Sequence, residues 1–242
     1  MGRVFEKRKH KMFKRYATMA KQFTKIGKEI AIAVKSGGPD PNTNARLRLV
    51  MQNAKAVNMP KDRVDAAIQK AAGKNDSSNF EEITYEGKGP GGITVVVETA
   101  TDNPTRTIAD LRVIYDRAGG AVGKTGSSDY LFERKGVFRI NTTGVSLDDL
   151  ELEGIDAGLE TIEPGDENDA MLYCGFSDFG AMQKFLEEKK IEVIEAKLTR
   201  IAGSHVTLTP EQMVDFNKMM DKLEENEDVQ EVYHNLQEAD EE

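Results

Sequence analysis

Residues 160–174 have the sequence ETIEPGDENDAMLYC, which predicts a β-hairpin. The tip, Gly165-Asp166-Glu167-Asn168, contains residue types typical of tight turns, and short strands are predicted over Glu160–Ile162 and Ala170–Cys174. The flanking sequence predicts a strand, a helix, a second helix and a last strand at Val137–Ile140, Ser146–Ala157, Asp178–Lys189 and Val193–Arg200. The resulting β-α-β-β-α-β order is that of a ferredoxin-like unit.

The segments on either side of this unit predict a second sheet. Before it, strands are expected at Glu82–Gly87 and Ile93–Thr99, then a helix from Pro104 to Ala118 and a strand beginning at Tyr130–Phe132. After it, a helix from Thr209 and a strand at Val229–Tyr233 have no sheet of their own. We therefore expect them to complete the earlier set, which makes the ferredoxin-like unit an insertion.

The first 74 residues predict three helices with short connections. An apolar stripe begins at Phe13 and runs to Val34, and Gly37-Gly38-Pro39 ends that helix. The second helix is expected from Thr43 to Val57, followed by Asn58 in a left-handed conformation. Pro60 suits the first turn of the third helix, which ends at Gly73.

Together these patterns predict an α+β protein with an N-terminal three-helix domain and two α/β domains, one ferredoxin-like and inserted into the other. The polar segment 73–79 is the expected boundary of the helical domain. The predicted domains are 1–74, 80–132 with 205–236, and the inserted 133–204, followed by an acidic tail at 237–242.

Charge divides along the same boundary. Residues 1–74 contain 18 Lys and Arg against 5 Asp and Glu, a net charge of +13. Residues 75–242 contain 15 against 37, a net charge of −22. A basic module attracts a polyanion and an acidic one repels it, so the asymmetry predicts that the helical domain binds nucleic acid.

Lysines recur every seven residues along the predicted first helix. A seven-residue step returns to within about 20° on an α-helix, so a continuous helix would display a slowly drifting basic ridge. A ridge that made six phosphate contacts would give a salt slope of about −5 on duplex DNA. The alternative is a solvated helix face. The candidate nucleic-acid-binding residues are Lys7, Arg8, Lys11, Lys14, Arg15, Lys21, Lys25, Lys28, Arg46, Arg48, Lys61 and Arg63.

The second and third helices have the spacing of a helix-turn-helix unit. Ala54, Asn58 and Val64 approximate its small residue, turn residue and inward β-branched residue. Any short connection between two helices gives similar spacing, so reading of bases in a major groove stays an open alternative.

Patterns for catalysis are weak. Gly119–Thr125 resembles a phosphate-binding P-loop, but Ala118 occupies the position of its first glycine, and the segment leaves a helix rather than a strand. The histidines His10, His205 and His234 match no metal spacing, and Cys174 lies in a predicted strand. We expect no enzymatic activity, no catalytic residue, no metal site and no cofactor.

No apolar segment is long enough for a membrane span, and the first residues lack the apolar core of a secretory signal. They are basic and acid-poor like a mitochondrial presequence, but rich in Lys and poor in Ser. We expect a cytoplasmic protein without a membrane partner. A monomer is compatible with the sequence, which does not specify the oligomeric state.

Several motifs, taken in order, resemble the YebC family. They are Asp40-Pro41, Asn44–Arg48, Asn58-Met-Pro60, Tyr85–Gly92, Thr101–Thr107 and Gly119–Ser127 followed by Tyr130-Leu-Phe132. The resemblance covers essentially the whole chain. It implies a helical N-terminal domain with two α/β domains and a DNA-binding transcriptional regulator. Some members of the family are instead linked to translation on the ribosome, notably at proline-rich stretches.

Our leading hypothesis is a nucleic-acid-binding regulator of the DNA-binding transcriptional type. The alternative is a ribosome-associated translation factor that binds RNA. In that alternative the glycine-rich loops with Asn103, Arg106 and Arg112 would form a second contact surface. For these residues the local interpretation is a helix cap and turns.

Overall fold

A computed structural model describes residues 2–73, 79–165 and 168–237, with only the backbone described for 2–18 and 129. It divides into two compact units, Met1–Glu82 with Ala100–Asn103, and Ile83–Thr99 with Pro104–Glu242. The helices are α1 (Gly2–Gly37), α2 (Ala45–Ala56), α3 (Lys61–Ala72), α4 (Pro104–Arg117), α5 (Leu147–Gly154), α6 (Phe179–Glu188) and α7 (Pro210–Glu225). The strands are β1 (Glu81–Lys88), β2 (Thr94–Thr101), β3 (Ala121–Val122), β4 (Phe132–Asn141), β5 (Leu159–Pro164), β6 (Asp169–Gly175), β7 (Val193–Ala202) and β8 (Val229–His234).

The three predicted helices of the first unit are confirmed, and α2 and α3 both pack on α1. Their shared core contains Ile26, Ile30, Ala33, Val34, Leu47, Val50, Ala54, Val64 and Ala71. Asn44 connects two of the helices. Its side chain accepts a hydrogen bond from the Leu47 amide at the start of α2 and donates to the Ala33 carbonyl oxygen in α1, 2.7 Å away. One polar side chain therefore caps α2 and fixes its start against α1.

The connection between α2 and α3 agrees with the sequence in detail. Asn58 has φ 56°, the left-handed conformation expected after α2. Pro60 immediately precedes α3 rather than occupying its first turn. The connection between the two helices therefore spans residues 57–60.

The first sheet has the order β3-β1-β2-β8, and β8 pairs antiparallel with β2. Helices α4 and α7 supply apolar side chains to its core, among them Leu111, Tyr115, Phe216, Met219 and Leu223. Thr209 and Gln212 form the capping box that starts α7. Because β8 follows the inserted segment in sequence, this pairing confirms that the second sheet is an insertion.

The second sheet has the order β5-β6-β4-β7 with all neighbours antiparallel, which is the ferredoxin-like topology. The predicted hairpin is formed by β5 and β6, and the Gly165 amide donates to the Asp169 carbonyl oxygen at 2.9 Å. The tip residues 166–167 and the tail 238–242 lie outside the described residues. On the core face, Phe138 stacks on Phe179 of α6 with ring centroids 4.6 Å apart.

One strand prediction was wrong. Tyr130 lies in a 3-10 turn, Asp129–Leu131, and Phe132 begins β4, which belongs to the inserted sheet and includes the separate strand expected at Val137–Ile140. The edge of the first sheet is instead β3, which pairs with Gly87 and Lys88 of β1. A strand of two residues has no periodicity from which it could be predicted.

Candidate nucleic-acid interface

The regularly spaced lysines of α1 lie on one continuous helix, which is the condition for a basic ridge. The side chains of Lys7, Arg8, Lys11, Lys14 and Arg15 lie outside the described part of that helix. Among the described lysines, Lys21 is exposed and Lys25 is half-buried. The part of the ridge whose side chains are described therefore begins with an exposed residue, Lys21.

Lys28 differs from the expectation of an exposed phosphate contact. Its side chain is only 9% exposed, and Nζ donates to the Ala100 carbonyl oxygen at 3.0 Å. The ammonium also lies 5.3 Å from the centroid of the Phe80 ring. Ala100 and Phe80 pack over this position, so Lys28 is a structural contact within the first unit rather than part of a ligand-facing ridge.

The two candidate arginines of α2 also have internal partners. Arg46 forms an ion pair with Glu82, and its side chain remains 41% exposed. The Arg48 guanidinium donates to the carbonyl oxygens of Pro41 and Asn42, at 2.8 and 3.0 Å. Arg48 therefore holds the turn before α2, a role that its basic character alone did not reveal.

On α3, Lys61 and Arg63 are exposed, as is Lys70 near the end of the helix. The Arg63 guanidinium lies 5.6 Å from the centroid of the Phe23 ring, which connects α3 to α1. The exposed face of α3 therefore carries cations at both of its ends.

The spacing typical of a helix-turn-helix unit is present in three dimensions. Ala54 and Val64 are buried, at 1% and 5% exposure, and Asn58 makes the turn between them. This geometry is compatible with a DNA-reading pair in which α3 follows the turn.

The residues expected at a second contact surface have different environments. Asn103 is exposed, and its amide donates to Thr101 Oγ1 at 3.0 Å. Arg112 is exposed on α4, whereas Arg106 donates from Nη2 to Asp228 Oδ2 at 2.8 Å. Asn103 belongs to the first compact unit and the two arginines to the second.

Sequence reasoning missed the cluster around Asp228. This carboxylate is 5% exposed and accepts from Thr107 Oγ1 at 2.8 Å as well as from Arg106. Asp228 directly precedes β8, so these two hydrogen bonds connect the start of α4 to the start of β8. No local pattern signals a contact across more than a hundred residues.

The glycine-rich segment 119–128 is anchored by an internal carboxylate. Glu86 is 2% exposed and accepts hydrogen bonds from the amides of Gly126 and Ser128 at 2.7 and 2.6 Å. The segment follows α4 and contains β3, in contrast to the strand-to-helix order of a P-loop. Two of its amides, those of Gly126 and Ser128, therefore already have an anionic partner within the protein.

The reactive residue types lie in unreactive settings. Cys174 is fully buried, and burial together with the nearby Asp178 carboxylate raises the pKa of its thiol to about 11. The His234 ring packs edge-on against Phe216, with centroids 5.1 Å apart, and His205 is exposed. Within the described ranges, no group of three or more His, Cys, Asp or Glu side chains is arranged to hold a metal ion.

No helix in the part of the chain that the structure describes is long and apolar enough to cross a membrane.

Comparisons with known proteins agree with these architectural features. The family description "TACO1/YebC protein N-terminal domain" matches residues 3–74, and "TACO1/YebC second and third domain" matches residues 80–236. A "Probable transcriptional regulatory protein" of Cytophaga hutchinsonii is 52% identical over 240 residues, covering 99% of this chain and all of that protein. One of the same name from Parabacteroides distasonis is 49% identical over 243 residues, covering 100% of this chain and 99% of that protein.

Among solved structures, the crystal structure of a conserved hypothetical protein from Aquifex aeolicus has a TM-score of 0.76 and 35% sequence identity. The match covers 92% of this chain and 93% of that one. Family descriptions that span nearly the whole sequence, relatives near 50% identity and a shared fold lead to one conclusion: the chain belongs to the TACO1/YebC family.

Proposed function

We propose that this protein is a cytoplasmic, non-enzymatic transcriptional regulator that binds DNA through its three-helix N-terminal region. The observation that carries the proposal is the concentration of positive charge there, +13 over residues 1–74, within a chain of net charge −9. The names of the relatives from Cytophaga and Parabacteroides support a regulatory role of the same kind.

The proposed interface consists of exposed cations on two helices that pack together. Lys21 on α1 and Lys61, Arg63 and Lys70 on α3 are exposed, and the Arg63 guanidinium lies 5.6 Å from the centroid of the Phe23 ring on α1. These side chains can neutralise backbone phosphates without specifying a sequence. Lys28 and Arg48, whose polar atoms bond to protein carbonyl groups, are left out of the interface.

The acidic remainder of the chain makes a different contribution. Residues 75–242 have a net charge of −22, so this part of the chain as a whole repels a polyanion. We therefore assign it the orientation of the basic helices and contact with protein partners. No observation on this chain favours the ribosome-associated alternative, which enters the test below as a separate arm.

The test is a salt titration of binding with matched charge reversals. One variant changes Lys21, Lys61 and Lys70 to Glu, and its control changes three exposed lysines of the second unit, Lys184, Lys218 and Lys222, to Glu. Both variants lose the same net charge. Loss of three phosphate contacts should flatten the slope of log affinity against log salt by about 3 on duplex DNA.

We expect this flattening for the variant with Lys21, Lys61 and Lys70 changed to Glu, to the same extent on DNA duplexes of unrelated sequence. The salt slope of the control should change little. If both variants lost the same affinity for DNA, the loss would depend only on the net charge of the protein, and the proposed interface would be refuted. Binding to structured RNA with no binding to duplex DNA, together with co-sedimentation with ribosomes, would select the translation factor instead.

A further inference from the structure

The glycine loop, defined as residues 119–128, is the main glycine-rich feature that the proposed interface does not use. With Arg117 before it, the sequence from 117 to 128 contains two basic residues and no acidic one, and the next acidic residue is Asp129. Its pairing partners on β1, Gly87 and Lys88, are not acidic either. In a part of the chain with net charge −22, residues 117–128 are therefore a stretch without acidic side chains.

The glycine loop is seated closely on the first sheet. β3 pairs with β1 through Gly87↔Val122 and Lys88↔Ala121. A side chain at Gly120 would place Cβ 2.1 Å from the Lys88 carbonyl oxygen, and one at Gly87 would lie 2.4 Å from the Tyr115 ring. Neither position has room for a side chain, so both residues must be glycine. The close contact between Gly120 and Lys88 holds the start of the loop against β1.

The carboxylate of Glu86 fixes the far half of the loop. It accepts from the Gly126 and Ser128 amides, and Ser127 Oγ lies 3.4 Å from its second oxygen. Two consecutive turns follow Lys124, closed by Ser127 N to Lys124 O at 3.2 Å and Leu131 N to Ser128 O at 2.9 Å. The buried acid thus satisfies two loop amides from inside and fixes the position of the segment that follows Lys124.

The side chains displayed by this arrangement are a cation and an aromatic ring. Lys124 is exposed, and Tyr130 is 81% exposed. An aromatic ring and an ammonium group, exposed six residues apart on an anchored segment, are the two groups that can hold a nucleotide whose base is not paired, because the base stacks on the ring while its phosphate meets the cation.

We propose that the glycine loop and the adjoining Tyr130 form a second nucleic-acid contact, which binds an unpaired nucleotide by stacking its base on Tyr130 and pairing its phosphate with Lys124. Glu86 is a positioning residue for this contact. The inference rests on the proposed nucleic-acid-binding function and adds a substrate feature to it, namely a single-stranded or distorted segment that contains an unpaired nucleotide.

The first experiment measures binding of the full chain to a hairpin with an unpaired loop and to the fully paired duplex of its stem, as DNA and as RNA. Tyr130→Ala should weaken hairpin binding about five- to hundredfold, the range expected for loss of one base–aromatic stack. Tyr130→Phe keeps the ring and should bind like the original protein. Duplex binding should be unchanged in both.

Unchanged hairpin binding by Tyr130→Ala would overturn the proposal, as would an equal loss in Tyr130→Phe, which would assign the contact to the hydroxyl group. The two proposals fail separately. If the loop contributes nothing, the Lys21, Lys61 and Lys70 reversal still weakens duplex binding, whereas failure of the proposed interface leaves duplex binding intact in that variant.

A second experiment detects stacking directly. The chain contains no Trp, so Tyr130→Trp introduces a single fluorescent indole at the proposed contact. Its emission should be quenched in a saturable way by an unpaired oligonucleotide. Leu152→Trp, at a position 71% exposed on α5, is the control and should not respond. Equal quenching at both positions, or none at Tyr130→Trp, would refute the stacking contact.

Discussion

Lys21 and Lys28 occupy equivalent positions of the heptad ridge, yet they should respond in opposite ways to the same substitution. Replacement by Met keeps the length and apolar stem of the side chain and removes only the ammonium group. Lys21 is exposed, whereas Lys28 is 9% exposed and donates to the Ala100 carbonyl oxygen at 3.0 Å. The comparison therefore separates a ligand contact from a structural one.

The magnitude follows from the contacts of Lys28. A hydrogen bond from a charged donor contributes about 1.5–3 kcal/mol to stability. The ammonium over the Phe80 ring, 5.3 Å away, adds about 0.5–1 kcal/mol. Removing a charge from a buried position returns part of this sum, because its desolvation cost disappears. We expect Lys28→Met to lower the free energy of unfolding by about 2 kcal/mol and Lys21→Met to change it by less than about 0.5 kcal/mol.

Urea denaturation followed by circular dichroism measures the stability difference, and fluorescence anisotropy on duplex DNA measures the salt slope. Lys21→Met should flatten the slope by about 0.9, the value for one phosphate contact, and Lys28→Met should leave it unchanged. The opposite pattern, with Lys28→Met stable and its slope flattened, would refute the assignment of Lys28 to the interior.

Three further outcomes concern buried groups of the second unit. Asp228→Ala removes the common acceptor of Arg106 and Thr107 and should cost about 2–4 kcal/mol in urea denaturation; a loss below about 0.5 kcal/mol would contradict the role given to this cluster. Glu86→Gln provides one acceptor oxygen where two amides donate, so hydrogen exchange should accelerate in the glycine loop and remain unchanged in β6. Burial raises the pKa of the Cys174 thiol from its ordinary 9.0 to about 11, so iodoacetamide at pH 8 should label it only in denaturant. The folded state then binds more protons than the unfolded state above pH 9, and the thiol's contribution to stability should be lost as pH rises from 9 towards 11; rapid native labelling would contradict the buried position.

The elements with strong local signals were predictable. The turn at Asn58, the cap before α7 and the hairpin of β5 and β6 depend on residues within a few positions of one another. The two-residue strand β3 was missed because it exists only through its pairing with β1. Phe132 was assigned to the wrong sheet for a related reason, since a strand's sequence does not name its partner.

The candidate interface was predictable as a class of surface and not residue by residue. Basic composition placed the candidate interface in the first 74 residues, and the lysine spacing forms a ridge on condition that α1 is one continuous helix, which it is. Composition does not distinguish a lysine facing solvent from one facing protein. Lys28 and Arg48 were both expected to contact the ligand. In the structure each donates a hydrogen bond to a backbone carbonyl oxygen of the protein.

By itself the sequence determined the α+β class, the three-helix start, the inserted ferredoxin-like unit and the separation of charge, because each depends on periodicity, turn chemistry or composition. Only the tertiary structure decided that Lys28 is interior, that Asp228 joins α4 to β8, and that Glu86 supports the glycine loop. These contacts join residues far apart in the chain. A buried polar group is satisfied by whatever donor or acceptor the fold brings within about 3 Å, and no local pattern encodes that partner.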